Sequence, residues 1–355
     1  MNTNEESEFP EKLVLEAEKM KDLPYGSNPG QPAAIYKLLG HTGGVPDWKL
    51  LFGDPLSFNN YRDAALANRL TDGFGGKNLV AIAKHGIYAG VAWAKTIEDA
   101  RWFARKCDLE ANFGGVEVYT QPLTVEVADM IRQNAEDGDI RDIIAAPGFE
   151  EGTLNILEEC RKGKYKGKMR VVQTAPFSTC KYEYRIHDGA LLVEKLPDYS
   201  RKLTMEQVTI ASQVKPTKKE LAKLFAAEDI VWRVPSNAVV VGDGMFNDDF
   251  ELEAFWTDGI GTSTKRNRAA KMAADNANDT EMLKSFWFEP MKRTEGAVAA
   301  SDGFFPFRDS LDTLADAGVK AILSSAGALR EKEVIEAADS YKIPFVLSKR
   351  RIFSH

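Results

Sequence analysis

The chain has little cysteine. Cys107, Cys160 and Cys180 are an odd number with no C-x-x-C spacing. That argues against a disulfide framework or a structural zinc site and suits a reducing, cytoplasmic setting. Long apolar runs are missing. No stretch approaches the ~20 residues that cross a bilayer, and the acidic start (Glu5, Glu6, Glu8, Glu11) lacks the apolar core of a signal peptide. Positive charge is not in excess. A net charge of −7 removes any global field toward nucleic acid or an anionic membrane, though not a local basic pocket for one phosphate. Histidine is scarce (His41, His85, His187, His355), and no ligand cluster calls for a metal. The string GIGTSTKRNR, Gly259 to Arg268, has G-x-G but neither G-x-G-x-x-G nor a P-loop, so it is a weak nucleotide motif.

What is present is an ordinary globular composition, 44% hydrophobic and 28% charged, over 355 residues, enough for two domains and a large core. Glu11 to Met20 reads as a short amphipathic helix. Leu79 to Ala83 reads as a buried parallel strand, Glu98 to Lys106 as a helix, and Val116 to Tyr119 as a strand. A helix is expected over Thr124 to Asn134, a strand over Ile143 to Ala146, and a helix over Glu151 to Arg161. The basic run Arg161 to Lys168 reads as a solvated loop rather than a nucleic-acid patch, since only Tyr165 alternates with it. His187-Asp188-Gly189 suggests a hairpin turn, and Thr217 opens a capping box with Glu220. Ala238 to Val241 is a strand turning at Gly242-Asp243-Gly244 into Glu251 to Phe255. A helix runs from the G-x-G string to about Asn278. Ala321 to Leu323, Glu331 to Tyr341 and Phe345 to Leu347 complete a strand, a helix and a strand. This alternation implies an α/β fold with mainly parallel sheets, in two similar halves. The boundaries expected are an extension over 1–20 and domains over 21–190 and 191–355.

Two stretches carry candidate chemistry. In SDGFFPFRD, Ser301 to Asp309, Pro306 disfavours a central strand and Asp309 is placed to cap the helix that follows. This reads either as an aromatic wall beside helix N–H donors, suited to a flat heteroaromatic ligand, or as a core-packing loop with a surface ion pair. Lys84-His85-Gly86 ends a strand, where ligands bind in open α/β sheets. Either the pair is functional or the strand end simply reaches solvent.

The first of these stretches resembles the C-terminal signature of AICAR transformylase, the formyl-transfer half of the bifunctional purine-synthesis enzyme. Matching segments follow in the family's order: PYGSNPGQPAAIY from Pro24, AKHGIYAGVA from Ala83, ANFGGVEV from Ala111, IIAAPGFEE from Ile143 and VPSNAVVV from Val234. VIEAAD from Val334 and the ending RRIFSH, with Arg351 and Phe353, continue the match. The resemblance begins at about Leu23, which implies a stand-alone form without the cyclohydrolase domain. It also implies two cytidine-deaminase-like α/β/α domains, although the deaminase zinc signature H-x-E with P-C-x-x-C is missing.

The activity implied is formyl transfer from 10-formyl-tetrahydrofolate to the amine of AICAR. The resemblance assigns catalysis to Lys84, His85 and Asn237. It places Tyr25, Gly114, Asp142, Phe304 and Arg351 around the nucleotide, and Pro306, Phe307 and Asp309 near the folate. It further implies a homodimer whose sites draw on both subunits. Departures occur at Pro24, Gly30 and the GTSTKR segment, which leaves Lys265 and Arg266 as the expected phosphate ligands, assisted by N–H groups of Gly261 to Ser263. These departures keep open a different formyl donor, or a nucleotide-binding homologue without catalysis.

Overall fold

The computed structural model describes residues 8–160, 169–279 and 292–354. The basic run Arg161 to Lys168 lies outside the described residues. Strands β1 (Ala17–Leu23) and β2 (Ala33–Leu38) form a separate antiparallel pair. Then come β3 (Lys49–Phe52), α1 (Phe58–Thr71), β4 (Asn78–Lys84), β5 (Ile87–Ala94), α2 (Ile97–Arg105), α3 (Leu109–Asn112), β6 (Val116–Tyr119), α4 (Val125–Glu136), β7 (Ile143–Ala146), α5 (Thr153–Cys160) and β8 (Arg170–Gln173). A second separate hairpin, β9 (Tyr182–His187) with β10 (Ala190–Lys195), turns at Asp188-Gly189. The chain continues through β11 (Val208–Ile210), α6 (Lys218–Val231), β12 (Ala238–Phe246), β13 (Leu252–Thr262), α7 (Arg266–Asn278), β14 (Val298–Ser301), α8 (Asp309–Ala317), β15 (Ala321–Ser325), α9 (Glu331–Tyr341) and β16 (Phe345–Ser348).

All the other strands join one sheet of 12, in the order β11-β16-β15-β14-β12-β13-β5-β4-β6-β7-β8-β3. Read outward from its middle, the sheet shows the same plan twice. An inner hairpin (β4–β5 or β12–β13) is followed by a parallel trio (β6–β7–β8 or β14–β15–β16) and an antiparallel edge strand (β3 or β11). The two similar halves expected from the alternation thus share one topology. The α/β expectation holds, with the sheet mixed: parallel in the two trios and antiparallel through the centre. Leu79 to Ala83 is buried as expected, but β4 is antiparallel to both β5 and β6, because the chain folds straight back after Lys84.

Two further readings are corrected. Glu11 to Met20 is not a helix: the chain is irregular to Glu16 and then enters β1. Its apolar residues Leu13, Val14 and Met20 stay exposed, so helical spacing there had no core to face, and pairing with β2 satisfies the backbone instead. Gly242-Asp243-Gly244 is not the turn. β12 runs through it to Phe246, and Asn247 closes the real loop by bonding Glu251.

The G-x-G string has a packing function. Gly259 and Gly261 lie in β13 and face the alanine stripe of α7, Ala269, Ala270, Ala273 and Ala277, all fully buried. A Cβ on Gly261 would overlap the Ala269 carbonyl and come within 2.6 Å of the Ala273 nitrogen. The glycines therefore let helix and strand approach closely. Gly261→Ala should lower unfolding free energy by about 1–3 kcal/mol, the usual cost of overpacking a filled core. Urea denaturation measures this, and an unchanged midpoint would reject the packing role.

Candidate functional site

The strand registers gather the candidate residues at one edge of the sheet. Lys84 pairs with Ile87, and Ala83 with Val116, which lies beside Ile143. Lys84, Gly114 and Asp142 therefore share that edge. β13 leaves its pairing with β5 at Phe255 and Trp256 and runs toward the same edge. Its end, Thr262, pairs with Ala238, and Val239 with Ser301. Asn237 and the loop after Ser301 thus lie on the same side, three and four ladders from β4 respectively.

Within that edge the residues form two groups. The first is an open cleft of about 650 Å³ in the second half. Asn237, Lys265, Arg266, Phe304, Pro306, Phe307, Asp309 and Arg351 all line it. The second group comprises Lys84, His85, Gly114 and Asp142, and it takes no part in lining the cleft. Tyr25 sits apart, its carbonyl 3.5 Å from the amide of Phe58 at the start of α1.

The phenylalanine stretch divides its labour. Phe305 is buried and stacks on Phe345 at 6.3 Å between centroids. Phe304 and Phe307 face the cleft, with the guanidinium of Arg351 4.8 Å over Phe304 and that of Arg330 5.1 Å over Phe307. The loop thus both packs the core, through Phe305, and lines the cleft, through Phe304, Pro306 and Phe307. Asp309 does not cap α8. Arg308 holds the cap position with helical dihedrals, and Asp309 is the first helical residue, its carboxylate still near the positive end of the dipole. Arg308 is taken up by Asp312, with contacts down to 2.8 Å.

Cations dominate the cleft floor. Lys265 is exposed at the start of α7. Arg266 turns inward, where its Nη1 donates to the Asp302 carboxylate and, at 3.1 Å, to Ser301. Burial and then neighbouring Arg351 push the Arg266 pKa down to about 10. A Cβ on Gly303 would lie 2.9 Å from the Phe353 ring and crowd the Arg266 guanidinium, so a side chain there would have to displace one or both. Two of the three amides expected to assist a phosphate are otherwise engaged. Gly261 lies inside the β12–β13 ladder, and Ser263 N–H donates to the Asn237 carbonyl at 3.1 Å. Asn237 Nδ2 returns a bond to Ser263 O at 3.2 Å, which fixes its amide plane.

Two buried ion pairs hold the loops that carry candidates. Arg141, next to Asp142, binds Glu117, which also accepts from Arg101 at 3.1 Å. Burial pushes the Glu117 carboxyl up, but the two guanidiniums outweigh it and hold it well below the usual range. Arg350, next to Arg351, binds Glu228 at 3.1 Å; burial raises Glu228 to about 7, against the pull of Arg350. The tail then lies beside Pro235, with Ser236 N–H donating to Ser354 O at 2.7 Å.

At the β4–β5 turn, Lys84 Nζ donates to Phe113 O at 2.6 Å, tying it to the loop of Gly114. Gly114 N–H in turn bonds Ile140 O at 2.8 Å, and Asp142 N–H bonds Gly115 O at 3.0 Å. Sequence reasoning missed Asp302, Glu228, Phe113 and Asp63. Each acts through a partner far along the chain, so no local pattern marks it.

These features define an α/β protein with a basic, aromatic-walled cleft and a separate Lys-His turn on one sheet edge. The model of the AICARFT/IMPCHase bienzyme family matches residues 1–275. The chain belongs to this family. A bifunctional purine biosynthesis protein PurH from Acetivibrio thermocellus is 33% identical over 356 residues, covering 99% of this chain and 62% of its own length. Another from Ruminiclostridium cellulolyticum is 32% identical over 98% of this chain and 62% of its own. A third, from Chlorobium phaeobacteroides, is 31% identical over 97% and 61%. The chain thus spans about three fifths of the length of these relatives.

Arg266 is a test of the cleft floor. Arg266→Ala strands the buried Asp302 carboxylate and should cost about 3–5 kcal/mol of stability. Chemical denaturation of the variant checks this; a loss under about 1 kcal/mol would mean the pair is not sealed from solvent.

Proposed function

We propose that the chain is an AICAR formyltransferase, taking its formyl group from 10-formyl-tetrahydrofolate. The observation that carries this reading is the gathering of Lys84-His85, Asn237 and the Phe304 to Asp309 loop at one sheet edge. Transfer to a weakly nucleophilic aromatic amine has three needs. The amine must lose a proton, the tetrahedral oxyanion must be stabilised, and the folate nitrogen must be protonated as it leaves. His85 serves as base, imidazole being the side chain that most often takes that part in proton transfer. Lys84 supplies positive charge to the oxyanion, and the fixed amide of Asn237 orients the formyl oxygen.

Phe304 and Arg351 hold the aminoimidazole, together with Tyr25, Gly114 and Asp142. Pro306, Phe307 and Asp309 meet the folate. The phosphate goes to Lys265, with Arg266 adding positive potential from behind its ion pair. The topological halves are taken as the two cytidine-deaminase-like domains, divided near residue 190. The setting is cytoplasmic, with no nucleic-acid or membrane partner. Among the described residues, no helix is long and apolar enough to cross a membrane, and no group of three His, Cys, Asp or Glu could hold a metal.

The cleft is lined without Lys84 or His85. We therefore take the complete site to need a second copy, one subunit giving the Lys-His turn and its partner the aromatic loop.

Incubation with AICAR and 10-formyl-tetrahydrofolate should yield formyl-AICAR. Formate with ATP should not replace the folate. No product from either donor defeats the enzyme reading, and product from formate alone changes the donor. His85→Ala and Lys84→Ala should each lower turnover by roughly two to four orders of magnitude with nucleotide binding largely kept.

Mixing inactive Lys84→Ala with inactive Asp309→Ala should restore activity through hybrid dimers. Full wild-type activity from a species that scatters as a monomer would reject the shared site.

A further inference from the structure

The turn that carries His85 has an unusual composition for its geometry. Lys84 and Ile87 pair directly, so only two residues, His85 and Gly86, connect β4 to β5. Both have positive φ, 54° and 81°. That is the type I′ pattern, which favours Asn-Gly or Asp-Gly because its first position must be left-handed. Histidine tolerates the left-handed region better than most residues but is not what the turn selects. The conformation needs outside support.

That support comes from α1. One carboxylate oxygen of Asp63 accepts the His85 N–H at 2.9 Å, and the other accepts the Gly86 N–H at 2.8 Å. Two successive turn amides form a small concavity suited to an anion, and here it is filled by a side chain of the protein itself. Asp63 is in turn well fixed. The first turn of α1 is held by a capping box, with Ser57 N–H donating to Asn60 at 3.0 Å and Asn60 N–H donating to Ser57 Oγ at 3.3 Å. The buried face of the helix (Ala64, Ala67, Leu70) packs in the core shared with β4. Tyr88, one residue into β5, donates its hydroxyl to Leu66 O of the same helix at 2.8 Å. Helix and hairpin are thus tied at two heights, and the upper tie holds both amides of the turn.

We propose that Asp63 is the positioning residue of His85: it holds the turn so that the imidazole projects in one fixed direction from the sheet edge. The proposal rests on the reading of His85 as the base. Asp63 does not touch substrate. It acts by removing the freedom of the backbone beneath the ring, and misplacement of a base by about 1 Å costs up to about a hundredfold in rate.

The test uses the full chain. Histidine labelling with nitrogen-15 gives four backbone amides in all, from His41, His85, His187 and His355. The His85 signal is assigned by its loss in His85→Ala. In the wild type this amide should be protected from hydrogen exchange. Asp63→Ala should accelerate its exchange by at least roughly tenfold, as for loss of a charged acceptor. Asp63→Asn, which keeps one oxygen, should fall between, and it remains informative if Asp63→Ala does not fold.

In turnover assays Asp63→Ala should lower kcat by about ten- to a hundredfold, with KM for AICAR within about threefold. Added to His85→Ala, the same change should cost less than about threefold more, because the two act as one unit. Unchanged exchange at His85 would overturn the proposal. So would a full further loss in the His85→Ala background, which would mean Asp63 acts on the fold or on substrate directly. If the wild type forms no formyl-AICAR, the functional reading fails, while the exchange measurement still decides whether Asp63 holds the turn.

Discussion

The ladder between β5 and β13 is short, yet the geometry of the working edge depends on it. Phe255 pairs with Trp93 and Trp256 with Ala92. The Thr257 hydroxyl then bridges to β5, accepting from Val91 N–H at 3.0 Å and donating to Val91 O at 3.2 Å, in a fully buried position. This junction makes one sheet out of two six-stranded halves. Its antiparallel sense also decides direction. It sends the end of β13 toward the edge that carries the β4–β5 turn, so residues from both halves of the chain emerge at one edge of the sheet, in two separate groups.

Along that edge, carboxylates fix the loops. Glu117 holds Arg141 beside Asp142, Glu228 holds Arg350 beside Arg351, and Asp302 holds Arg266 under the cleft. Asp63 holds the amides of His85 and Gly86. In two cases, Arg141 beside Asp142 and Arg350 beside Arg351, the anchored residue is the immediate neighbour of a candidate, so the ion pair fixes the backbone from which the candidate projects. Buried pairs of this kind add little net stability, because desolvation offsets their attraction. What they do supply is one defined geometry.

The repeated topology makes the asymmetry of use clear. The inner hairpin of the first half closes in two residues and carries Lys84 and His85. Its counterpart, β12–β13, closes through the exposed loop Asn247 to Glu251 at the opposite edge. The end of that hairpin which does reach the working edge is its base, where Asn237 and Ser263 bond each other. The halves therefore contribute different parts of the same plan to one edge of the sheet.

Much was legible in the chain itself. The helices at Thr124, Thr217 and Glu331, the hairpin at His187-Asp188-Gly189 and most strands follow from caps, turn residues and periodicity, which are local effects. The ordered run of short motifs identified the family. The errors came where context overrides local pattern: β1, whose apolar residues have no core to face, and Gly242-Asp243-Gly244, where the glycines permit a bulged strand rather than a turn. The G-x-G string is only a weak nucleotide motif, and its glycines are required by the alanine face of α7. The sequence alone determined which elements form and which side chains have the chemistry. Only the tertiary structure decided that Arg266 turns inward to Asp302, that Phe305 is core while Phe304 and Phe307 are wall, and that Asp63 grips the His85 turn. Those outcomes depend on pairings between residues 22 to 40 positions apart and on strand registers across the whole sheet, and no local spacing encodes them.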